Sequence, residues 1–463
     1  MTRKARVGLL LLYLKLYDDA LPEMRKGFKP FIRNVTNAFA AAGTEVVVSP
    51  VCRVRKEFER AVAFFEKKDV DLLVTLHLAY SPSLEAADAL AATALPILLL
   101  DTTMDYSFGR DVDPDRILYN HGIHGVQDLA SVLRRRGKPF RIIAGHVSNS
   151  PVLARAADAA RAAFAAKVLR RTKALRVGES FKGMGDFAVD ETTLEKALGI
   201  SVDEIDADDL AADVRSVTDV EVDREMRRDA RRFEVRAEKD VLRRSVRVSL
   251  GLRKRLEAGG YNAFSLNFLA FDSGKGPVNT VPFLEASKAM ERGVGYAGEG
   301  DILTAALVGA LSAAFGRTTF TEIFCPDWKG NSIFLSHMGE MNPEVAAGKP
   351  LLVEKPFPFT KALNPAVITG CPAPGPAVFV NIAPGPDATF DLIVSPVEVL
   401  GDAETPEMRQ SIRGWIRHRL GVERFLEEYS RAGGTHHSAL VLGEKAEAIE
   451  TFAAFAGIGC RRI

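Results

Sequence analysis

Residues 4–19 read KARVGLLLLYLKLYDD, and the run 7–12 inside them decides the fold. It is apolar throughout, of strand length, and has no polar face. A strand that is apolar on both sides must be covered on both sides, as in parallel sheets flanked by helices. Behind Lys4 and Arg6 the longer apolar run 7–14 could be read as a short signal peptide. Lys15, Asp18 and Asp19 follow at once, however, and no small-x-small cleavage site appears. It is read here as a buried first strand.

Working outward, the pattern repeats. Residues 24–42 have helical spacing and stop at Gly43, 45–51 are β-branched, and 70–78 and 96–100 are further apolar runs with Ala-rich helices between them. Such alternation predicts a Rossmann-like parallel sheet, whose ligands sit at the C-terminal strand ends. Asp101, after Leu98, Leu99 and Leu100, stands at such an end. A second α/β unit opens near Asn120, with helices expected over 124–136 and 154–169 and a strand over 140–144. Residues 221–257 read as one long charged helical stretch, braced by Asp223–Arg227 and Asp240–Arg244 at i,i+4 spacing. Its arginines could bind an anionic partner, but a solvated or subunit-facing surface is the preferred reading. From about Asn331 the texture changes to short β-rich runs (333–335, 351–354, 377–382 and 389–394) punctuated by proline, as in an antiparallel barrel or sandwich. Helices are expected again over 409–429 and 445–456.

Bulk properties exclude several function classes. At 463 residues the chain is long enough for two or three domains. Its 61 basic and 60 acidic side chains leave no global charge to attract nucleic acid or a membrane surface. No stretch reaches the roughly 20 apolar residues that span a bilayer. Cys52, Cys325, Cys371 and Cys460 form no CxxC pair, so neither a zinc ribbon nor a disulfide scaffold is indicated, and a reducing, cytoplasmic setting fits. GxGxxG after a strand, the phosphate-binding P-loop and the GxSxG elbow are all missing.

The residues suited to chemistry gather in the second half. Glu299 and Asp301 lie in GYAGEGD (295–301), just before a helical run, and Asp301 is a good N-cap. Glu322 ends the apolar run 318–324, where a carboxylate is costly unless paired or bound to a cation. His337 sits in SHMGE (336–340), and His436 and His437 in GGTHHS (433–438). Each also has a plain structural reading: a cap, a turn, a partner for arginine, an exposed pair. Their spacing is long-range, so no local metal motif joins them.

Taken together, GYAGEGDILTAAL (295–307), Phe320-Thr321-Glu322, SHMGE and GGTHHS resemble, in order and spacing, the L-arabinose isomerases of the wider L-arabinose/L-fucose isomerase superfamily. Residues 120–130, 174–189, 259–268 and 281–290 extend the likeness upstream. The resemblance implies two Rossmann-like α/β domains (1–120 and 121–325) followed by a C-terminal β-rich, barrel-like domain (326–463). It implies a metal-dependent aldose–ketose isomerase working through a cis-enediol. It makes Glu299, Glu322, His337 and His437 the metal ligands, with both glutamates also catalytic. The cation would be Mn²⁺, with Co²⁺ or Mg²⁺ also suited to oxygen and imidazole donors. His436 matches a substrate-contacting position and Asp301 a supporting carboxylate. A sugar is the expected ligand and a homo-oligomer, often a hexamer, the expected assembly. His124 matches a histidine that reaches a neighbouring subunit's site.

The sugar end departs from the family. Leu14, before Lys15, stands where the family has a glutamine, and His121 where it has another. Phe181, followed by Lys182, replaces a methionine, and IFCPDW (323–328) replaces a tyrosine-bearing stretch. Losing groups aimed at hydroxyls changes specificity strongly, so L-arabinose is not expected to be the best substrate. Lys15 and Lys182 hint at an anionic sugar unless both are simply solvated. A metal-dependent epimerase or lyase, and a non-catalytic sugar-binding protein, are the alternatives.

Overall fold

In the computed structural model, which describes residues 3–403 and 405–463, the run 7–12 is a central strand. β1 (Arg6–Leu12), β2 (Glu45–Cys52), β3 (Leu72–His77), β4 (Ile97–Asp101) and β5 (Arg141–Ala144) form a wholly parallel sheet in the order β2-β1-β3-β4-β5. β3 is buried at every position, as a strand covered on both faces must be. The helix Arg55–Lys67 supplies Phe58, Ala61, Val62 and Phe65 to one core, and the helix Ile123–Arg135 adds Val126, Leu129, Val132 and Leu133. The first set falls at i, i+3, i+4 and i+7 and the second at i, i+3, i+6 and i+7, each one amphipathic stripe. Residues 3–164 form one compact unit and 165–463 another. Residues 121–144, which the sequence reading assigned to the central domain, supply a crossover helix and β5 to this first sheet. Parallel neighbours need such a crossover.

The second unit contains β6 (Lys173–Val177), β7 (Ser201–Ile205), β8 (Glu234–Val235), β9 (Ala263–Leu266) and β10 (Gly295–Gly298). Four of these make a second parallel sheet, β10-β9-β6-β7. Then follow β11 (Thr318–Asp327), β12 (Ser332–Ser336), β13 (Leu351–Glu354), β14 (Ala366–Thr369), β15 (Gly375–Pro384), β16 (Phe390–Val399), β17 (Gly414–His418), β18 (His437–Leu442) and β19 (Gly459–Arg462). The order β15-β18-β11-β12-β17-β16, with β16 pairing back onto β15, closes a six-stranded antiparallel barrel. Of the barrel and the sandwich that the sequence allowed, the barrel forms. β19 lies parallel along β16, and β8, β13 and β14 form a small separate sheet. Among the described residues no helix is long and apolar enough to cross a membrane, and none of the four cysteines is in a disulfide.

Two helical expectations are corrected. Residues 409–429 are not one helix: 414–418 form β17, whose burial alternates with period 2, and the helix is Val422–Arg431. The stretch 221–257 is broken into helices Asp219–Arg232 and Lys239–Gly259, with Phe233 buried between them and β8 paired to β13. The pairings change accordingly. Asp223 bonds Arg243 at 2.5 Å, and Arg244 donates to the Asn364 carbonyl at 2.8 Å.

This break lets three helices share a buried ion network. Lys288, on the helix Phe283–Glu291, donates to Glu225 at 2.9 Å and Asp229 at 2.8 Å. Arg253 reaches Glu285 at 2.8 Å and Glu225 at 3.3 Å. Removing one member leaves its partners charged and dry. Lys288→Met should therefore lower unfolding stability by roughly 3–5 kcal/mol, measured by urea denaturation. Burial pushes the Glu225 carboxyl up, but Lys288 and Arg253 outweigh it and hold it at about 2. A carboxyl depressed in the folded state stabilises above its ordinary range and loses that effect as pH falls. The stability lost in Lys288→Met should thus shrink in melts taken between the ordinary glutamate range and pH 2.

Candidate metal centre and active site

The barrel register assembles the site. β11 lies between β12 and β18, with Glu322 opposite His437 on one side and Ser336 on the other. His337 is the residue after β12. From the second parallel sheet, the chain leaves β10 at Gly298 and turns through Glu299 and Gly300 into the helix Ile302–Phe315. Four side chains distant in sequence therefore converge. His437 Nε2 is 3.6 Å from Glu299 Oε2, and His337 Nε2 is 3.9 Å from Glu322 Oε2. Donor atoms of Glu322, His337 and His437, and of Glu299, His436 and His437, form two groups within 4.8 Å that share His437.

The imidazoles are held from behind. His437 Nδ1 lies 3.1 Å from Asp301 Oδ2, and His337 Nδ1 lies 2.8 Å from Glu340 Oε2. Carboxylates only accept, so each Nδ1 carries a proton, and in the neutral ring each Nε2 presents a lone pair to the centre. His437 Nε2 is buried without a hydrogen-bond partner. A bare buried acceptor of this kind costs stability, and a cation relieves the cost. Carboxylate behind, imidazole between and open donor in front is the arrangement that metal-binding histidines use. The donor set of two carboxylates and two imidazoles fits a divalent cation such as Mn²⁺.

Asp301 has two tasks. Its Oδ1 accepts from the Thr304 amide at 2.8 Å, capping the helix, while Oδ2 takes His437. Both oxygens are fully buried and occupied, so Asp301 positions rather than meets a ligand. Glu340 is also fully buried, and it accepts from Tyr296 and the Gly339 amide as well as from His337.

Backbone shape is specific at Glu299. It has φ 63°, a left-handed conformation that a side chain rarely adopts, while its amide bonds Leu266 at 2.8 Å and its carbonyl accepts from Phe181 at 3.0 Å. Gly298 allows the turn to touch the site: a Cβ there would lie 2.6 Å from His337 Cε1. Charge is set by the neighbours. Burial raises Glu322. Burial raises Glu299 too, but His436, His337 and His437 outweigh it and bring it below the usual range. Burial lowers His337, yet Glu340 prevails and raises it.

The remaining expected residues are placed as follows. His436 Nε2 lies 3.7 Å from Glu299 Oε2, so it belongs to the centre. Phe181 touches it through its amide, and its ring packs 5.7 Å from Phe268. Lys182 is 89% exposed beside Glu179. In the first unit, Leu14 precedes a short helix and Lys15 is paired with Asp19 at 2.7 Å. There His121 shares a 2.9 Å hydrogen bond with Tyr17, its Nδ1 is buried without a partner, and the exposed His124 packs edge-on to its ring.

Two participants had no assigned role in the sequence. Glu340 had a signal, since it lies three residues after His337 in a glycine-bearing turn. Asp186, which accepts from His436 Nδ1 at 2.6 Å, had none. Two substitutions test the geometry. Gly298→Ala should push His337 aside, and Glu340→Gln should loosen its tautomer. Each is expected to weaken Mn²⁺ binding by about 10- to 100-fold with the fold kept, as read by titration calorimetry and circular dichroism.

Comparison with known proteins shows the family. Residues 173–315 match the L-arabinose isomerase central domain and residues 317–459 the L-arabinose isomerase C-terminal domain. The L-arabinose isomerase of Nocardioides sp. is 29% identical over 89% of this chain and 84% of that protein. That of Mycolicibacterium smegmatis is 28% identical over 84% of this chain and 79% of its own length. That of Lactiplantibacillus plantarum is 28% identical over 75% of each. The two matched domains carry every residue of the centre described above, and the chain belongs to the L-arabinose isomerase family, a family of aldose–ketose isomerases.

Proposed function

We propose that this protein interconverts an open-chain aldose and its ketose with a divalent cation, Mn²⁺ in the first instance, held by Glu299, Glu322, His337 and His437. The observation that carries this reading is the bare, buried His437 Nε2 facing two carboxylates and a second oriented imidazole. A bound cation would act as a Lewis acid toward the carbonyl and hydroxyl oxygens at C1 and C2. The protein's own part is proton movement. Among the described residues neither Glu299 nor Glu322 is paired with lysine or arginine, and the charged partners near both are the site's own histidines. One, ionised, takes the proton from the carbon beside the carbonyl while the other, protonated, gives its proton to the carbonyl oxygen, which makes a cis-enediol; the first then delivers its proton to the former carbonyl carbon as the second takes the proton of the adjacent hydroxyl. Asp301 and Glu340 keep the imidazoles fixed while this happens.

Leu14, His121 and Phe181 depart from the residues expected of the family at its sugar-contacting positions, so L-arabinose is not the preferred substrate. Support for an anionic sugar is weaker in the structure than in the sequence, because Lys15 is spent on Asp19 and Lys182 lies in solvent beside Glu179. His124, exposed on its own unit, is free to serve the site of a neighbouring copy in a homo-oligomer.

The test is conversion. Mn²⁺-loaded protein is incubated with neutral pentoses, hexoses and 6-deoxyhexoses, and with phosphorylated and sulfonated hexoses, in D₂O. NMR should show a new ketose or aldose with deuterium at C1 or C2. EDTA should abolish the conversion and Mn²⁺ restore it. Glu299→Gln should lower turnover by about a thousandfold or more with the fold intact. Chelator resistance, or near-normal activity in that variant, would sink the proposal.

A further inference from the structure

We infer that the loop after β6 is a clamp on the histidine pair, and that Asp186 is the positioning residue that aims His436 at the reacting groups. The inference rests on the isomerase reading only in taking His436 to face the sugar.

The geometry is that of a two-point grip. A single Asp186 oxygen accepts from the His436 backbone amide at 3.0 Å and from its ring Nδ1 at 2.6 Å. Ring and backbone are thereby tied to one acceptor, which fixes the ring torsions as well as the tautomer. The other ring nitrogen, Nε2, is left directed at Glu299, 3.7 Å away. The next residue, Phe187, completes the clamp. Its ring stacks on His437, with centroids 5.0 Å apart and planes 11° from parallel, and leans on His436 at 5.5 Å. Adjacent residues of one loop thus hold adjacent residues of another, 250 positions later.

A surface ion pair would not look like this. Exposed pairs gain little and need no backbone donor. Here the bond from the His436 backbone amide restrains the same aspartate oxygen that holds the ring. The His436 side chain is 30% exposed and lacks the dry packing that immobilises His437, so it needs a partner to stay in place. A group that must meet substrate loses much of its effect when it can rotate away.

The experiment compares Asp186→Ala, Asp186→Asn, His436→Ala and the double variant Asp186→Ala/His436→Ala in Mn²⁺-loaded protein. Asp186→Ala should raise KM for the converted sugar about tenfold, with kcat and Mn²⁺ affinity moving by about threefold or less. Asp186→Asn keeps an oxygen acceptor and should recover most of the loss. The double variant should be no worse than His436→Ala alone, because Asp186 acts through that ring. A crystal structure of loaded Asp186→Ala should show the His436 ring turned from Glu299. An unchanged KM with the ring in place, additive losses, or loss of Mn²⁺ would overturn the inference. If wild-type protein holds Mn²⁺ yet converts no sugar, the isomerase reading fails, and the ring position in the variant still decides the role of Asp186.

Discussion

The centre depends on the register of β11 between β12 and β18. Glu322 stands opposite His437 because Thr318 pairs with Val441 and each following residue keeps step. A slip of one residue on either side would exchange inward and outward side chains along the strand. Register in such a sheet is held by what one face buries. Phe320, two residues before Glu322, is itself buried and lies edge-on to both His337 and His437. The aromatic ring that fixes the strand is therefore also the floor on which the two imidazoles rest.

Around that register the structure spends stability in a few places. Glu299 is held in a left-handed turn, and His437 has a buried nitrogen without a donor. Such costs of order 1–3 kcal/mol each persist only when the surroundings over-determine them. The surroundings here are the bonds to Leu266 and Phe181, the fully buried Asp301 and Glu340, and the apolar helix Ile302–Phe315. Strain and support alternate along a few residues, as expected where a rigid donor set must be ready before its ligand arrives.

Much of this was legible in the sequence, for identifiable reasons. The run 7–12 announced a doubly covered strand because its apolarity has no period, and prolines from Pro343 to Pro386 announced the β-rich part because they cannot sit inside central ladders. That Glu299, Glu322, His337 and His437 belong together was legible through glycine-flanked polar residues and family likeness, and the fold does bring them together. What stayed hidden was long-range. Barrel closure is the pairing of β15 with β16 and with β18, which no local pattern encodes. The split of 221–257 was hidden because a single buried Phe233 and a two-residue strand outweigh good helix propensity. Asp186 was hidden because an aspartate between Gly185 and Phe187 looks like any turn residue until His436 is folded against it.

Asp301 ties chemistry to architecture. The helix it caps is buried at almost every position and touches β9, β10, β11, β15 and β18. The carboxylate that orients His437 is thus also the first brick of the innermost helix, and any change that retunes the histidine unsettles the centre of the fold. Change is easier in segments outside that helix: the residues after β1 and the segment around His121. A lineage exploring new sugars would be expected to rewrite those segments while leaving the turn through Glu299 and Asp301 untouched.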